Sequence, residues 1–393
     1  MINILYLHAG AEMYGADKVL LDLIRNLDQS KYNPMVVLPC NGVLVDALKR
    51  EGINTQIIDY PIMRRKYFNP KGMMDYMFNF IKYSKILLEI AKENNIDIIH
   101  TNTSAVMEGV YLSRKLKVPQ IWNIHEIIVK PKFIYKVTSF IISKGAKAVI
   151  TDSNAVKTHL EISGFFHNQV SVIHNGVDSN HFNPSNDCTY LYKEFQIPRD
   201  SRVIGMMGRV NSWKGQHEFL EAANIIMSKH EDVYSVLVGS SFEGEEWRVE
   251  QLRKEIDKSP YKNRIVEIGY RSDSQGIYKL FDVFVLPSIN PDPLPTVVLE
   301  AMASGKPIIG YRHGGVCEMV KENYNGLLAE VRNPSDLSEK IEYILENEII
   351  KKQMGENSRT RQMELFSIKS FVHKFSSLYD ELAKCKIGDN HVK

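Results

Sequence analysis

Two carboxylates, Asp292 and Glu300, stand with seven residues between them in the stretch PSINPDPLPTVVLEAMASGKPIIG (287–310). Pro293 and Pro295 bracket Leu294 and lead into an apolar run, Thr296 to Ala303. That run predicts a helix closed by Gly305 as its C-terminal cap. Proline costs nothing at a helix start, because the first N–H groups have no intrahelical partner. The amides of Thr296 and Val297 then face out of a positive helix end, which suits an anion. One acid sits at the mouth of such a site and the other roughly two turns down the helix. An anion that also carries hydroxyl groups fits both features.

Other residues fit the same chemistry. In GRVNSWKGQHEFL, Arg209 and Lys214 flank a short loop that opens a helix, with Gly208 and Gly215 easing the turns. Arg offers a fork of donors and Lys a point charge, so together they can hold a diphosphate. A loop pair of this kind is otherwise ordinary solvated surface; the place after a strand and between glycines favours the anion site. NIHEI puts His125 and Glu126 after another strand, and histidine exchanges protons near neutrality. A single loop histidine is by itself an ordinary surface residue. Gly10 and Gly15 punctuate HAGAEMYGADKVLLDL, where Gly15 would let backbone approach a phosphate. The spacing is not GxGxxG, which argues against a dinucleotide-binding dehydrogenase.

These residues need strands to carry them. Apolar runs predict strands at Ile2–Leu7, Met35–Leu38, Gln56–Ile58, Asp97–His100, Gln120–Asn123 and Ala148–Thr151. Helical patterns lie between them at Ala16–Leu27, Leu44–Glu51, Met73–Glu93 and Phe133–Lys144. The rhythm repeats at Val203–Met207, Tyr234–Val238, Arg264–Glu267, Val283–Leu286 and Pro307–Gly310. Strands alternating with helices imply parallel sheets covered on both faces. The expected class is α/β, two doubly wound domains facing across a cleft, with ligands beyond the carboxyl ends of the strands. An aperiodic stretch from Asp178 to Asp200 separates residues 1–180 from 200–365. A last helix, about 368–385, is expected to return to the first domain.

Composition bounds the alternatives. The chain has 393 residues and a net charge of +2, which suits two cores rather than one. Charge is uneven: residues 60–147 hold fifteen Lys/Arg against six Asp/Glu, whereas residues 1–59 hold five against seven. A local basic field attracts phosphates, anionic lipid or nucleic acid. Cys40, Cys188, Cys317 and Cys385 are scattered, which argues against a disulfide framework or a zinc site and fits a reducing cytoplasm. The opening MINILYLHAG reads as a buried strand rather than a signal peptide. No apolar run reaches the ~18 residues of a spanning helix. Peripheral membrane contact would fall to Met63–Phe68 or Val129–Tyr135, where cations lie beside aromatics.

Taken together and in order, GRVNSWKG, HNGVDSNHF (174–182), FDVFVLPS (281–288), EAMASGKPII (300–309), HGGVCEMV (313–320) and AEMYGADKVLLDL resemble a retaining GT-B glycosyltransferase of family 4, the glycosyl transferases group 1. The resemblance spans nearly the whole chain and extends to enzymes that assemble bacterial surface polysaccharide. It implies that Arg209 and Lys214 bind the diphosphate of a nucleotide-sugar donor and steady the leaving nucleotide. Glu300 would bind the ribose hydroxyls, and Leu294, Thr296 and Val297 would touch phosphate and sugar. His125 would meet the sugar, Gly15 the phosphates, and Gly269 and Tyr270 the base. Asp292, His125, Arg209 and Lys214 are the implied catalytic set. No Asp-x-Asp motif is seen, so no metal or other cofactor is expected, and no nucleic-acid partner. The implied acceptor is a glycan or lipid-linked saccharide, met in the cytoplasm or at the inner membrane face. Two departures bear on the sugar: Asp292 is one methylene shorter than the family's usual Glu, and Pro295 replaces a common Gly, removing a donor.

Two other readings stay open. An enzyme of the same fold could epimerise a nucleotide sugar or, like glycogen phosphorylase, use pyridoxal, although nothing marks a pyridoxal lysine. A non-catalytic sugar-nucleotide sensor would keep the site and lose the chemistry, and Asp292 is its one support.

Overall fold

The computed structural model describes residues 1–128, 131–166 and 169–388. They form two compact units, residues 1–176 with 368–388, and residues 177–367.

The first unit is built on seven strands: β1 (Ile2–Leu7), β2 (Tyr32–Leu38), β3 (Asn54–Ile57), β4 (Ile98–Thr101), β5 (Gln120–Ile124), β6 (Ala148–Thr151) and β7 (Val170–Val172). They pair in the order β3-β2-β1-β4-β5-β6-β7, every pairing parallel. Successive strand side chains point to opposite faces, so β1 divides its apolar residues between two cores. Ile4 and Tyr6 join the cluster that holds Leu20, Leu44 and Val36, while Leu5 and Leu7 join Leu87, Ala91 and Leu112. A strand segment buried on both faces must be apolar, as residues 4–7 of β1 are, whereas the polar Asn3 lies in its half-buried start.

The C-terminal helix, Ile368–Gly388, belongs to this unit. Its Phe371, Phe375, Tyr379 and Leu382 are buried in the cluster of Ile4 and Tyr6. Tyr6 donates to the Tyr379 hydroxyl at 2.9 Å, which meets His100 Nδ1 at 2.8 Å. Burial pushes the pKa of His100 down to about 3, so the ring is neutral and can accept.

The second unit carries β8 (Arg202–Met207), β9 (Val233–Val238), β10 (Ile265–Ile268), β11 (Val283–Leu286), β12 (Ile308–Tyr311) and β13 (Gly326–Ala329), ordered β10-β9-β8-β11-β12-β13 and all parallel. Its helix Thr296–Ala303 has the predicted bounds, with Gly305 at φ +70° just beyond the end. Glu300 therefore lies little more than one turn into the helix, not two. Arg359 on helix Glu348–Leu365 donates to the Ala303 carbonyl at 2.5 Å, placing a cation at that helix's C-terminal end. Strands β7 and β13 were not expected; β7 has only three residues, too few for a clear period, and β13 opens on Gly326, which reads as a turn. Pro34 sits within β2, opposite Ile4.

One surface expectation changes, and the other falls only partly on described residues. In 63–68, Met63 and Tyr67 pack inward, Tyr67 edge-on to Tyr76 at 5.3 Å, leaving Arg64, Arg65 and Lys66 outside. In 129–135, Val129 and Lys130 lie outside the described residues, while Phe133 is exposed.

Phe375→Ala is expected to cost roughly 3–5 kcal/mol in the first unit. Urea unfolding followed by a probe within that unit would read this as a lowered midpoint.

Candidate functional site

In a 3-2-1-4-5-6 sheet the loops diverge where strand order reverses, and ligands settle there. In the second unit that point lies between β8 and β11. The loop after β8 carries Lys214, and the loop after β11 carries Asp292. The Lys214 Nζ lies 3.0 Å from both carboxylate oxygens of Asp292. Ser288 Oγ also donates to Asp292, which is only 9% exposed. Asp292 is thus a half of a sheltered ion pair, more enclosed than a residue at an open mouth.

Close backbone contacts hold these loops together, and glycine permits them. Gly215 has φ +82°, and a Cβ there would lie 1.9 Å from the Pro287 carbonyl oxygen. On the other side, a Cβ on Gly315 would lie 1.7 Å from the Pro293 oxygen, and Gly315 N–H donates to the Asp292 carbonyl at 2.8 Å. The loop after β12 therefore grips the backbone of Asp292 and Pro293. Its His313 Nε2 meets the Ser288 carbonyl at 2.5 Å.

Arg209 is the second residue after β8, behind Gly208. Its guanidinium lies over the Phe242 ring, 3.4 Å from the centroid, and its carbonyl accepts from Gln216 Nε2 at 2.9 Å. The loops after β9 and β10 meet where Tyr270 N–H donates to Ser240 Oγ at 2.9 Å. Beside it, Gly269 has no room to spare: a Cβ would sit 3.3 Å from that same oxygen. The Tyr270 ring is 63% exposed. Leu294 is buried, and Thr296 and Val297 are half-buried in the first turn of their helix. Glu300 is buried and accepts from the Tyr278 hydroxyl at 2.7 Å.

Gly15 and His125 belong to the other unit. Gly15 opens helix Gly15–Arg25. The preceding loop is organised by Asp17, which accepts from Tyr14 N–H at 2.8 Å and meets His8 Nε2 at 2.6 Å. His125, after β5, has Asp152 at 3.3 Å on Nδ1, with Asn102 at 3.1 Å and Asn123 at 3.0 Å on Nε2. Burial disfavours its charged form, but the hydrogen bond and charge of Asp152, with the charge of Glu126, outweigh this and raise its pKa above 6.5. Glu126 itself is turned to Thr103 and Ser104.

His8, Asp17, Asn102 and Asp152 were absent from the expected set. Each of His8, Asn102 and Asp152 is the first residue after a strand, a signal the sequence did contain. Asp17 shows its role only in three dimensions. Among the described residues, His230, Glu342 and Glu346 gather as a possible metal-ligand group. There Glu342 is already paired with Lys229 at 2.7 Å and His230 at 2.8 Å.

Comparison with known proteins gives two family matches. Residues 13–181 match Glycosyltransferase Family 4, and residues 191–361 match Glycosyl transferases group 1. An Escherichia coli UDP-Gal:alpha-D-GlcNAc-diphosphoundecaprenol alpha-1,3-galactosyltransferase is 26% identical, over 92% of this chain and 95% of its own. A Campylobacter jejuni N,N'-diacetylbacillosaminyl-diphospho-undecaprenol alpha-1,3-N-acetylgalactosaminyltransferase is 25% identical, over 96% and 98%. Among solved structures, Anabaena HepE in complex with UDP and glucose aligns with a TM-score of 0.84 and 24% identity, over 97% of this chain and 100% of that one. The architecture is that of the GT-B fold.

Asp152→Asn is expected to lower the His125 pKa, measured from ring proton shifts in an NMR pH titration. A raised native pKa stabilises below the unfolded value and ceases to do so as pH rises through the native one. The substitution should therefore cost more stability at about pH 5 than at about pH 9.

Proposed function

The chain belongs to the glycosyl transferases of group 1, and from that premise we propose a donor, an acceptor and a stereochemical course. The donor is a nucleotide diphosphate bearing a hexose or deoxyhexose. The acceptor is a glycan or lipid-linked saccharide in the assembly of a surface polysaccharide. The anomeric configuration is retained.

The observation that carries this reading is the Lys214–Asp292 pair at the switch point, next to the helix start at Thr296. An ammonium held by one carboxylate can be shared with, or surrendered to, an arriving diphosphate. Arg209 and the first-turn amides of Thr296 and Val297 supply further positive charge. As the anomeric C–O bond breaks, negative charge grows on the diphosphate, and groups already fixed around it stabilise that charge without reorganising. Asp292, freed in part from Lys214, can balance positive charge on the sugar or orient its hydroxyls. The acceptor oxygen bonds to the anomeric carbon on the face the diphosphate leaves, and the acceptor proton passes to a phosphate oxygen. Glu300, steadied by Tyr278, is assigned to the ribose. The base falls to Gly269 and the exposed Tyr270 ring. The roles of His125 and Gly15 rest on the resemblance alone.

The lipid-linked acceptor is supported by the two relatives, whose names both carry a diphospho-undecaprenol saccharide. A cytoplasmic location accords with the free thiols of Cys40, Cys188 and Cys317. The chemistry above uses no divalent cation.

The test pairs a panel of nucleotide sugars with diphospho-undecaprenol saccharides. Lys214→Ala and Glu300→Ala should each weaken donor binding by about 10- to 100-fold, the worth of a charged hydrogen bond. Asp292→Asn should lower turnover more than binding. NMR of the product should show the donor's anomeric configuration, and chelator should leave the rate unchanged. Conversion of donor without acceptor would mean an epimerase; donor binding with no transfer to any acceptor would mean a sensor.

A further inference from the structure

Helix Pro70–Glu93 in the first unit has two apolar sides. Tyr76, Leu87, Leu88 and Ala91 are buried against the sheet. On the other side Met74, Met77, Phe78 and Ile81 are 74%, 49%, 72% and 51% exposed. Spacings of three and four residues place these four on one stripe. Helix Lys132–Gly145 repeats the arrangement: Ile134, Thr138 and Ile142 are buried, while Phe133, Val137 and Phe140 are 70%, 37% and 47% exposed. Tyr76 of the first helix and Ile142 of the second lie in one cluster with Trp122 and Met107. The two stripes thus belong to one helical layer of the unit.

Scattered surface apolar residues need no explanation, but seven large ones in two stripes mark an interaction surface. Charge identifies what it meets. Lys71, Lys82 and Lys85 on the first helix and Lys132, Lys136 and Lys144 on the second are all exposed. Helix 132–145 has no acidic residue, and Asp75 is the one acid between 70 and 85. Apolar side chains bordered by lysines suit the boundary between anionic headgroups and acyl chains. A second copy fits poorly, since a self-complementary contact would set lysine against lysine. Among the described residues no helix is long and apolar enough to cross a membrane, so the contact would lie on the surface.

We infer that helices 70–93 and 132–145 dock the chain on an anionic phospholipid bilayer. Met74, Phe78, Ile81, Phe133 and Phe140 enter the headgroup boundary, and the lysines meet lipid phosphates. The inference stands apart from the acceptor reading: a membrane-docked enzyme could serve a soluble acceptor, and an undocked one could reach a lipid-linked acceptor in detergent.

Flotation of the full chain with vesicles tests it. The protein should rise with phosphatidylglycerol–phosphatidylethanolamine vesicles, rise less in high salt, and stay behind with phosphatidylcholine alone. A Phe78→Glu/Phe133→Glu variant and a Lys82→Glu/Lys85→Glu variant should each lose about tenfold or more in vesicle affinity. Both should keep the wild-type melting temperature and its shift with nucleotide sugar, which separates lost docking from lost folding or lost donor binding. Unchanged flotation of the variants overturns the inference. So does absence of wild-type flotation, including the case where Phe78→Glu splits a dimer seen in light scattering and the face proves to be a protein interface.

Discussion

The ion pair between Lys214 and Asp292 joins loops that follow strands from opposite sides of a strand-order reversal. Nothing in either loop alone would hold it. The lysine is placed by a helix that starts where Gly215 backs onto Pro287; the aspartate is placed by the Gly314–Gly315 turn pressed against its own backbone. Since both supports are contacts between main chains, the backbone fixes where the two loops meet, and the lysine side chain spans the remaining gap. The positive helix start of Thr296 then lies only a few residues from the aspartate. Cation, anion and amide dipoles therefore share a small volume before any ligand arrives.

The other unit repeats the topology with different chemistry at its strand ends. There the polar residues are neutral or paired side chains: His8 with Asp17, and His125 with Asp152 and two asparagines. Such a network fixes ring orientation, and in the case of His125 it also shifts the balance of charge that burial would set. The two units thus offer two kinds of surface from one fold plan, one rich in fixed charge and the other in oriented hydrogen-bonding groups.

Much of this was legible in the residues. Helix 296–303 could be read to its ends because proline opens it and glycine closes it, both local signals. Strand β1 and strand β11 were equally plain, being short apolar runs between breakers. The three residues of β7 gave no such pattern, and Pro34 hid the start of β2. Lys214 and Asp292 were each picked out, but 78 residues separate them and their pairing depends on strand order, which composition does not encode. The surface of the first unit misled for a related reason. In 63–68 the cations and aromatics adjoin in sequence, yet Tyr67 turns inward to Tyr76. The exposed stripe lies in the following helix, whose apolar residues are so many that periodicity alone could not say which face was covered.

The helix from Ile368 closes the first unit's core, although the whole second unit precedes it in the chain. Synthesis from the N-terminus therefore completes residues 177–367 while the first sheet still lacks Phe371, Phe375 and Tyr379 against Ile4 and Tyr6. The second unit has every contact it needs before the first does. In the interval one apolar face of the first sheet is open to water, so this is the stage at which a nascent chain has most need of protection from its neighbours.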